Sequence, residues 1–500
     1  MLLMHFSKKH WRPQGIGFVI ERFFFNQGRL PWQNGIHQFF TALIALASGF
    51  SAGREGPAVH MGATISSYIG EKFRLPNNSL RILVGCGSAA AIGASFHTPI
   101  AGVIFAMEVI MMEYTLVGFT PIILASVSGT ALSQWMLGEA SLLHSASVEL
   151  SSLYELPWVA VSGIMMGGLA ALFITICGKL SLYQQKPLAL RFSIVALLTC
   201  ISGIYFPTLL GTGFDLVNLS FTGQLSLGLL LLLAIAKLLL TATTFGLGVP
   251  VGIIGPLLVI GGLFGAAMGY MGAFFVETEV SDISIYAVIG MASMMAASLQ
   301  APLAALMALM ELTNNSHIIL PGMLGVVSAI LTCRYFRPEN TSIFHHLLAL
   351  KGRDLAHPPL AQAMNRVGVT SIMENNYWHC DNQITLSQAK KIIQEKIQWM
   401  LITEIDSDDK ILMPTAALAN YLYLLDIEKK QAQASEFQTI ILSEIPTEDR
   451  LTASSIQPQA TLTEAYEQIA DMRTDALYVI NDRQEILGIL TYRMIENYYQ

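Results

Sequence analysis

The stretch GREGPAVHMG at residues 53–62 decides the fold, because its pattern returns as GIIGPLLVIG at residues 252–261. Both follow G-x-x-G-P-x-x-x-x-G, at an offset of 199 positions. A second pair, SFHTPIAGVIFAMEV (95–109) and SLQAPLAALMALMEL (298–312), follows in the same order at an offset of 203 positions. Two matched motifs in one order indicate that the chain contains two related halves.

The composition indicates a membrane protein with a soluble tail. Of the 500 residues, 53% are hydrophobic and 13% are charged, whereas soluble domains carry about 25% charged residues. Lys, Arg, Asp and Glu number 29 in residues 1–350 and 34 in residues 351–500. We therefore predict an all-α polytopic membrane domain over 1–350 and a small α/β domain over 351–500.

Charge and cysteine usage exclude several function classes. The net charge is −7 and no basic cluster occurs, which argues against a nucleic-acid partner. The five cysteines form no regular spacing, so neither a disulfide framework nor a metal site is expected. The start MLLMHFSKKHWRP has no long apolar segment before a cleavage site, and no cleaved signal peptide is expected.

Apolar stretches that are long enough to cross a bilayer, or to enter it and turn, occupy nine ranges: 37–52, 82–111, 115–136, 157–177, 190–210, 225–245, 252–275, 284–312 and 317–335. The connection 137–156 carries three Glu and no Lys or Arg, whereas 178–191 carries two Lys and one Arg. By the positive-inside rule the second connection is cytoplasmic. We predict a multi-pass protein of the cell membrane with a cytoplasmic tail and with its two halves inverted.

The motif at 53–57 has a direct physical interpretation as a helix start. Pro57 fits the first turn, where its missing N–H costs nothing, and the unpaired N–H groups there carry the positive end of the helix dipole. Two such starts converging from opposed halves form a site for a dehydrated small anion. Glu55 then supplies a carboxylate that competes for this site and acts as a gate. In the alternative interpretation, Glu55 only caps its helix or pairs with Arg54.

These residues resemble the CLC family of chloride channels and chloride/proton exchangers. GREGP (53–57) is similar to the family's gating-glutamate motif, and GASFHTPIAGVIFAME (93–108), GVPVGIIGP (248–256) and QAPLAALMALMELT (300–313) are similar to other family motifs. The resemblance implies a homodimer of transport proteins, not an enzyme, with one chloride pathway in each subunit and no cofactor. Glu55 is the implied gate, and the amides around Arg54, Gly56, Ile253 and Ile254 are the implied anion ligands.

Two departures concern the inner anion site of the family. The motif G-S-G-I-P appears as PQGIG (13–17), which places Gln14 at the serine, keeps Gly15, and places Gly17 at the proline. Gln14 and Gly15 are therefore expected anion ligands, because a side-chain amide still donates a hydrogen bond. The tyrosine of the inner gate appears as Phe344, which keeps the ring and loses the hydroxyl.

A third departure concerns proton coupling. Exchangers of the family commonly have Glu-Glu where this chain has Glu108 followed by Val109, and the second Glu is the usual inward proton acceptor. Glu113 lies four residues after Val109, on the same helical face if the helix continues, and is then a substitute proton acceptor. The alternative, which is favoured, places it in a loop near Tyr114. A channel-like or weakly coupled chloride pathway is therefore expected, with a chloride/proton antiporter as the alternative.

The beginning of the sequence also departs from the family. The second half opens with two apolar stretches, 157–177 and 190–210, before GTGFDL (211–216). Their first-half partners would precede residue 10, so the N-terminal helices of the family are expected to be missing. A start assigned too late or a truncated piece explains this more simply than a shortened pore.

The tail resembles a pair of CBS motifs, at 370–413 and 460–499, each with a helix followed by two strands. The first pair of strands is expected to turn at 407–410, and the second helix is expected to carry the apolar residues Leu462, Ala465, Ile469 and Met472 on one face. Nucleotide-binding CBS motifs tend to end with an acid that binds ribose, and here Leu418 and Met494 take its place. Adenine nucleotide binding is therefore doubtful, and a structural role is equally expected.

One alternative of a different class is a divalent-cation transporter, because some of these also carry CBS pairs. It needs several acidic residues within the membrane, and only Glu55, Glu108 and Glu311 are candidates. The remaining histidines, such as His60 and His97, are interpreted as packing or interfacial residues.

Overall fold

Helices make up the first part of the chain in this computed structural model. The structure describes Met4, Ser7 and the ranges 11–12, 14–114, 116–138, 152–221, 223–273, 281–338, 342–353, 364–403, 410–429, 439–447 and 449–499. Most of the connection 137–156, Pro13 of the PQGIG motif and the predicted turn at 407–409 lie outside these residues.

The helices of the first half are α1 (Gly15–Phe25), α2 (Trp32–Ala47), α3 (Glu55–Lys72), α4 (Asn77–Phe96), α5 (Pro99–Phe105, which continues as a π-helix over Ala106–Met111) and α6 (Leu116–Leu137). The second half contains α7 (Leu156–Ser181), α8 (Leu188–Tyr205), α9 (Phe214–Phe221), α10 (Leu227–Gly246), α11 (Ile254–Gly272), α12 (Ile283–Leu299), α13 (Pro302–Thr313), α14 (Ile319–Phe336) and α15 (Ile343–Ala349).

Seven segments of the described chain are long and apolar enough to cross a membrane. They lie in α4, α6, α7, α8, α10, α11 and α14. Together with the matched halves, they confirm a polytopic all-α membrane domain. Helix α3, with 18 residues, was not among the nine predicted stretches, because its Gly, Ser and His content lowers its hydropathy.

Two predicted apolar stretches are each broken into two helices. The stretch 82–111 divides between α4 and α5, where His97 has φ of 60° and Pro99 opens the next helix. The stretch 284–312 divides between α12 and α13 in the same way, with Gln300 at φ of 57° and Pro302 at the helix start. Each predicted crossing is thus a pair of shorter helices with a helix start inside the membrane domain.

The core of the membrane domain centres on α11 and α12, whose residues are almost all buried. Their backbones approach closely because both carry glycine at the contact. A Cβ at Gly261 would lie 2.3 Å from the carbonyl oxygen of Gly290, and a Cβ at Gly290 would lie 2.3 Å from that of Gly261. Small residues of this kind allow close helix packing where lipid removes most of the hydrophobic driving force.

The chain separates into two compact units. One comprises Met1–Phe73 and Leu80–Ala356, and the other comprises Arg74–Ser79 and His357–Gln500. The second unit therefore includes the segment Arg74–Ser79, at the end of the α3–α4 connection and the start of α4, which the sequence did not predict.

The second unit is an α/β domain built from two similar β-α-β-β segments. The first contains β1 (Tyr377–Asp381), β2 (Gln383–Thr385), α16 (Leu386–Gln394), β3 (Trp399–Thr403), β4 (Lys410–Pro414) and α17 (Thr415–Lys429). The second contains β5 (Thr439–Ile441), β6 (Leu451–Ile456), α18 (Leu462–Met472), β7 (Ala476–Ile480), β8 (Ile486–Thr491) and α19 (Tyr492–Tyr499).

Six of these strands form one sheet in the order β1-β3-β4-β6-β7-β8, and β2 pairs with β5. Within each segment the first pair of strands is parallel (β1 with β3, β6 with β7). The second pair is antiparallel (β3 with β4, β7 with β8). This repeated topology confirms the predicted α/β domain.

Leu462, Ala465 and Ile469 are buried as expected, but Met472 is 59% exposed. Met472 is the last residue of α18, which ends there because Arg473 adopts a left-handed conformation.

Candidate functional site

The two G-x-x-G-P motifs meet directly through their backbones. Gly53 N–H donates to the Gly252 carbonyl at 2.8 Å, and Gly252 N–H donates to the Gly53 carbonyl at 2.8 Å. The two glycines form an isolated antiparallel bridge. The predicted convergence of the two helix starts is therefore realised as a two-bond contact between positions that correspond in the two halves.

Glycine is required at this contact because the backbones nearly touch. A Cβ at Gly252 would lie 2.6 Å from the Gly56 nitrogen, and a Cβ at Gly56 would lie 2.8 Å from the Gly252 Cα. Both distances are shorter than side-chain carbons adopt, so any larger residue would force the motifs apart. The G-x-x-G spacing thus sets the separation of the two helix starts.

Glu55 places its carboxylate against the helix start of the other half. Gly255 N–H donates to Glu55 Oε2 at 3.3 Å, and the residue is 1% exposed. Glu55 Oε1 is buried and has no hydrogen-bond partner within the described residues. An amide at the N-terminus of α11 is an anion-binding group, so the carboxylate lies at the helix start where the sequence predicts an anion site.

Arg54 does not neutralise this carboxylate through a direct contact. Its guanidinium donates to the carbonyl of Ser95 at 2.6 Å, and its backbone forms the N-cap of α3. Ile253 and Ile254 occupy the corresponding N-cap and first position of α11 and are 1% exposed. The backbone groups expected to line the anion site therefore stand at the two helix starts that the Gly53–Gly252 bridge joins.

The side chain of Gln14 is held by other protein groups. Its Nε2 contacts His37 Nδ1, and its Oε1 accepts a hydrogen bond from Thr41 Oγ1 at 3.2 Å. Gln14 is the N-cap of α1, although its side chain makes no capping bond. Its role as an anion ligand stays a prediction, since the amide is engaged in this conformation.

Gly15 N–H, the first amide of α1, also donates to protein acceptors. They are Gln38 Oε1 at 2.9 Å and His60 Nδ1 at 3.1 Å. Gln38 in turn donates from Nε2 to the Pro250 carbonyl at 3.0 Å, and so links the start of α1 to the second-half motif. The sequence did not reveal this cluster, because its members lie 23 and 45 positions from Gly15.

Phe344 is 2% exposed and lies beside α1. A Cβ at Gly17 would lie 3.9 Å from Phe344 Cδ1, so a side chain at the family's proline position would contact the residue at its tyrosine position. Within this contact the ring provides apolar packing and offers no hydroxyl donor.

Glu108 and Glu311 cap helices reciprocally. Glu108 accepts from Leu303 N–H at 3.1 Å and Ala304 N–H at 2.8 Å, in the first turn of α13. Glu311 accepts from Ile100 N–H at 2.9 Å and Ala101 N–H at 2.8 Å, in the first turn of α5. Each residue of the first-half cap lies 203 positions before its counterpart in the second half, which matches the offset of the second motif pair. The two halves therefore form the same contact with each other, in both directions.

Val109 and Glu113 do not share a helical face. Val109 is buried on the π-helical turn, and this turn ends at Met111 because Met112 adopts a left-handed conformation with φ of 55°. Glu113 therefore follows the helix end, as the loop placement near Tyr114 predicted, and the i,i+4 relation to Val109 does not hold. Its role as a substitute proton acceptor stays a prediction.

A profile of the family described as "Voltage gated chloride channel" matches residues 1–334. The chain belongs to the voltage-gated chloride channel (CLC) family. A CBS domain profile matches residues 442–499, which covers the second of the two predicted motifs. The resemblance drawn from GREGP and the repeated motifs is thereby confirmed.

Several CLC relatives are named as exchangers. The H(+)/Cl(-) exchange transporter ClcA of Vibrio cholerae serotype O1 (strain M66-2) is 29% identical over 323 residues, covering 62% of this chain and 69% of the relative. ClcA of Vibrio vulnificus (strain YJ016) is 28% identical over 346 residues, covering 66% and 72%.

Solved CLC structures share the fold. A slow cyanobacterial Cl-/H+ antiporter has a TM-score of 0.63 and 24% identity, over 70% of this chain and 83% of that one. A CLC-type fluoride/proton antiporter has a TM-score of 0.59 and 25% identity, over 69% and 85%. A eukaryotic CLC transporter has a TM-score of 0.58 and 17% identity, over 98% and 86%.

Proposed function

We propose that this CLC protein transports chloride across a membrane through a pathway that Glu55 gates. The observation that carries the proposal is the Glu55 carboxylate, buried against the Gly255 amide at the start of α11. A carboxylate and a chloride ion compete for the same amide donors. Protonation removes the charge of Glu55 and with it the competition, so a proton opens the site for an anion.

Chloride/proton exchange is the mode that we propose. The ClcA relatives are named as H(+)/Cl(-) exchange transporters, and the sequence expectation of weak coupling is set aside on this ground. The second candidate is passive, channel-like chloride conduction. It is favoured by Val109, which cannot carry a proton, and by Phe344, which has no hydroxyl to close the inner side.

Proton uptake into liposomes that contain the protein distinguishes chloride/proton exchange from channel-like conduction. A chloride gradient is imposed in the presence of a potassium ionophore, and external pH is followed. Exchange predicts sustained uphill proton movement at a fixed ratio to chloride. Chloride flux without proton movement would assign the protein to the channel-like mode, and no chloride flux at all would refute the transport proposal.

The acidic residues support an anion rather than a divalent cation as the transported ion. Glu108 and Glu311 are occupied as helix caps, which leaves only Glu55 of the three candidates. In the part of the chain that the structure describes, no three His, Cys, Asp or Glu side chains come together to hold a metal ion. Replacing chloride by gluconate should therefore abolish flux, and adding magnesium should not restore it.

We further propose a homodimer in the cell membrane, with the CBS pair in the cytoplasm and without enzymatic activity. The molar mass of the protein in detergent tests the dimer.

In the tail, apolar side chains fill the two positions where nucleotide-binding CBS motifs have a ribose-binding acid. Leu418 is buried, and Met494 contacts the core of the second motif. Millimolar ATP should leave the melting temperature unchanged, whereas a ligand bound to the folded state would raise it.

A further inference from the structure

Lys237 on α10 is a charged side chain that the gate described above does not use. It is fully buried, and its Nζ donates to the carbonyls of Leu209 and Gly211 at 2.8 Å each. Within the part of the chain that the structure describes, no Asp or Glu forms an ion pair with it. A buried charge is costly unless polar groups compensate it, so the ammonium group holds these two carbonyls in place around it.

The turn that Lys237 contacts is bonded in turn to the first half of the chain. Gly211 N–H donates to the Gly49 carbonyl at 3.1 Å, and Ala52 N–H donates to the Gly211 carbonyl at 3.3 Å. The Gly211 carbonyl therefore accepts from Lys237 and from Ala52 together. Because Ala52 directly precedes the Gly53–Gly252 bridge, these bonds fix the backbone that leads into the bridge.

Thr241 lies one turn beyond Lys237 on α10 and makes a second contact with the same backbone. Its Oγ1 is 2.9 Å from Ser51 Oγ, and both side chains are at most 2% exposed. One face of α10 therefore holds the segment 49–52, which we call the gate approach, at two places.

The first half contains the corresponding contact in the other direction. Gln38 on α2 lies 199 positions before Lys237, which is the offset of the two G-x-x-G-P motifs. Its Oε1 accepts the first N–H of α1 at 2.9 Å, and its Nε2 donates to the Pro250 carbonyl at 3.0 Å. Pro250 lies 199 positions after Ser51. Each half thus contacts the segment that precedes the bridging glycine of the other half, and the contact is a property of the repeat.

We propose that Lys237 is a positioning residue for the anion site and acts through the gate approach. Without the ammonium group, the carbonyls of Leu209 and Gly211 lose their donor, and the gate approach loses one of its two attachments to α10. The helix starts that the Gly53–Gly252 bridge joins are then less well aligned, and their amides bind a dehydrated anion less tightly. This inference rests on the proposed function, because it takes the two helix starts as the chloride site.

The test measures chloride binding in a Glu55→Ala background, where no carboxylate competes for the amides. Chloride is titrated by calorimetry into the purified full chain in a gluconate buffer. Lys237→Met, which has a side chain of similar length and no donor, should lower chloride affinity about two- to tenfold, the range that corresponds to one weakened hydrogen bond. Hydrogen–deuterium exchange of the Ala52 and Gly53 amides should become faster in the same variant.

Lys237→Gln separates position from charge. It carries the neutral amide of its counterpart Gln38, so it removes the charge and keeps a donor for the carbonyls. We expect it to bind chloride more tightly than Lys237→Met does.

Thr241→Val perturbs the other attachment without changing any charge. It removes the hydroxyl that contacts Ser51, and it should also lower chloride affinity. Thr243→Val is the matched control, because its hydroxyl donates to the Leu239 and Leu240 carbonyls of its own helix, and it should bind chloride as the parent does.

Two outcomes would overturn the inference alone. One is unchanged chloride affinity in both Lys237→Met and Thr241→Val. The other is a Lys237→Gln variant that binds as weakly as Lys237→Met while Thr241→Val binds as the parent does, because the charge alone would then matter. If Lys237→Met does not fold, Lys237→Gln and Thr241→Val decide the question by the same comparison with the parent.

The proposed function fails on different results. It is tested by chloride flux of the wild-type chain, which these binding data do not enter. A Glu55→Ala parent that binds no chloride would refute the proposed anion site and the role of Lys237 with it.

Discussion

Glu311→Gln tests whether the two halves stabilise each other through reciprocal caps. The carboxylate accepts two backbone N–H groups at the start of α5, at 2.9 and 2.8 Å. A glutamine keeps one acceptor oxygen and turns an NH2 group toward the other amide, so one charge-assisted bond is lost. Such a bond contributes about 1.5–3 kcal/mol, and the interaction of the charge with the helix dipole contributes about 0.3–1 kcal/mol. The expected loss of unfolding free energy is therefore about 2–4 kcal/mol.

The equivalent change in the other direction is Glu108→Gln, which removes one of the two charge-assisted bonds that cap α13. Because the two contacts correspond, both variants should lose similar stability, measured as unfolding of the purified protein in one detergent. Glu71→Gln is the matched control: its side chain is exposed on the last turn of α3, and its effect should stay within about 0.5 kcal/mol. Wild-type stability in both cap variants would refute this reasoning, and a loss in only one would show that the halves are not equivalent.

Three further predictions follow from single positions. Val109→Glu should raise the number of protons moved per chloride, measured from the reversal potential, because it places an ionisable group where the chain has none. Gly252→Ala should abolish chloride flux, since its Cβ would lie 2.6 Å from the Gly56 nitrogen, whereas Gly168→Ala, whose Cβ would meet nothing within 4 Å, should transport normally. Burial lowers the pKa of His379 from 6.5, so as pH falls the unfolded chain takes up this proton before the folded tail does. Stability that is present above pH 6.5 should be lost as pH falls below it, and His379→Gln should reduce that loss in melting curves at pH 7.5 and 5.5.

The sequence predicted the site better than it predicted the course of the helices around it. Pro57 and Pro256 identify helix starts from local chemistry alone, and the repeat brings the two starts together. Hydropathy did not identify the breaks at His97 and Gln300, because both residues lie inside continuous apolar stretches. Their left-handed conformation ends the preceding helix in each half, as residues at helix C-termini often do.

The contacts within the site were beyond sequence reasoning for a different reason. The Gly53–Gly252 bridge uses backbone groups only, so no side chain marks it. His60 resembles a packing residue, because its partner is the Gly15 amide, 45 positions away. Spacing alone would also misplace Glu113, since the i,i+4 rule assumes that the helix continues beyond Met111.

Chloride flux through Glu55→Ala is the most direct test of the gate. The variant removes the competing carboxylate and leaves the Gly255 amide and both helix starts in place. In chloride-loaded liposomes between pH 4.5 and 7.5, we expect rapid chloride flux that does not vary with pH and moves no protons. An assembled variant that keeps the wild-type pH response would contradict the gating role, and a variant that fails to assemble would show that Glu55 is a structural cap.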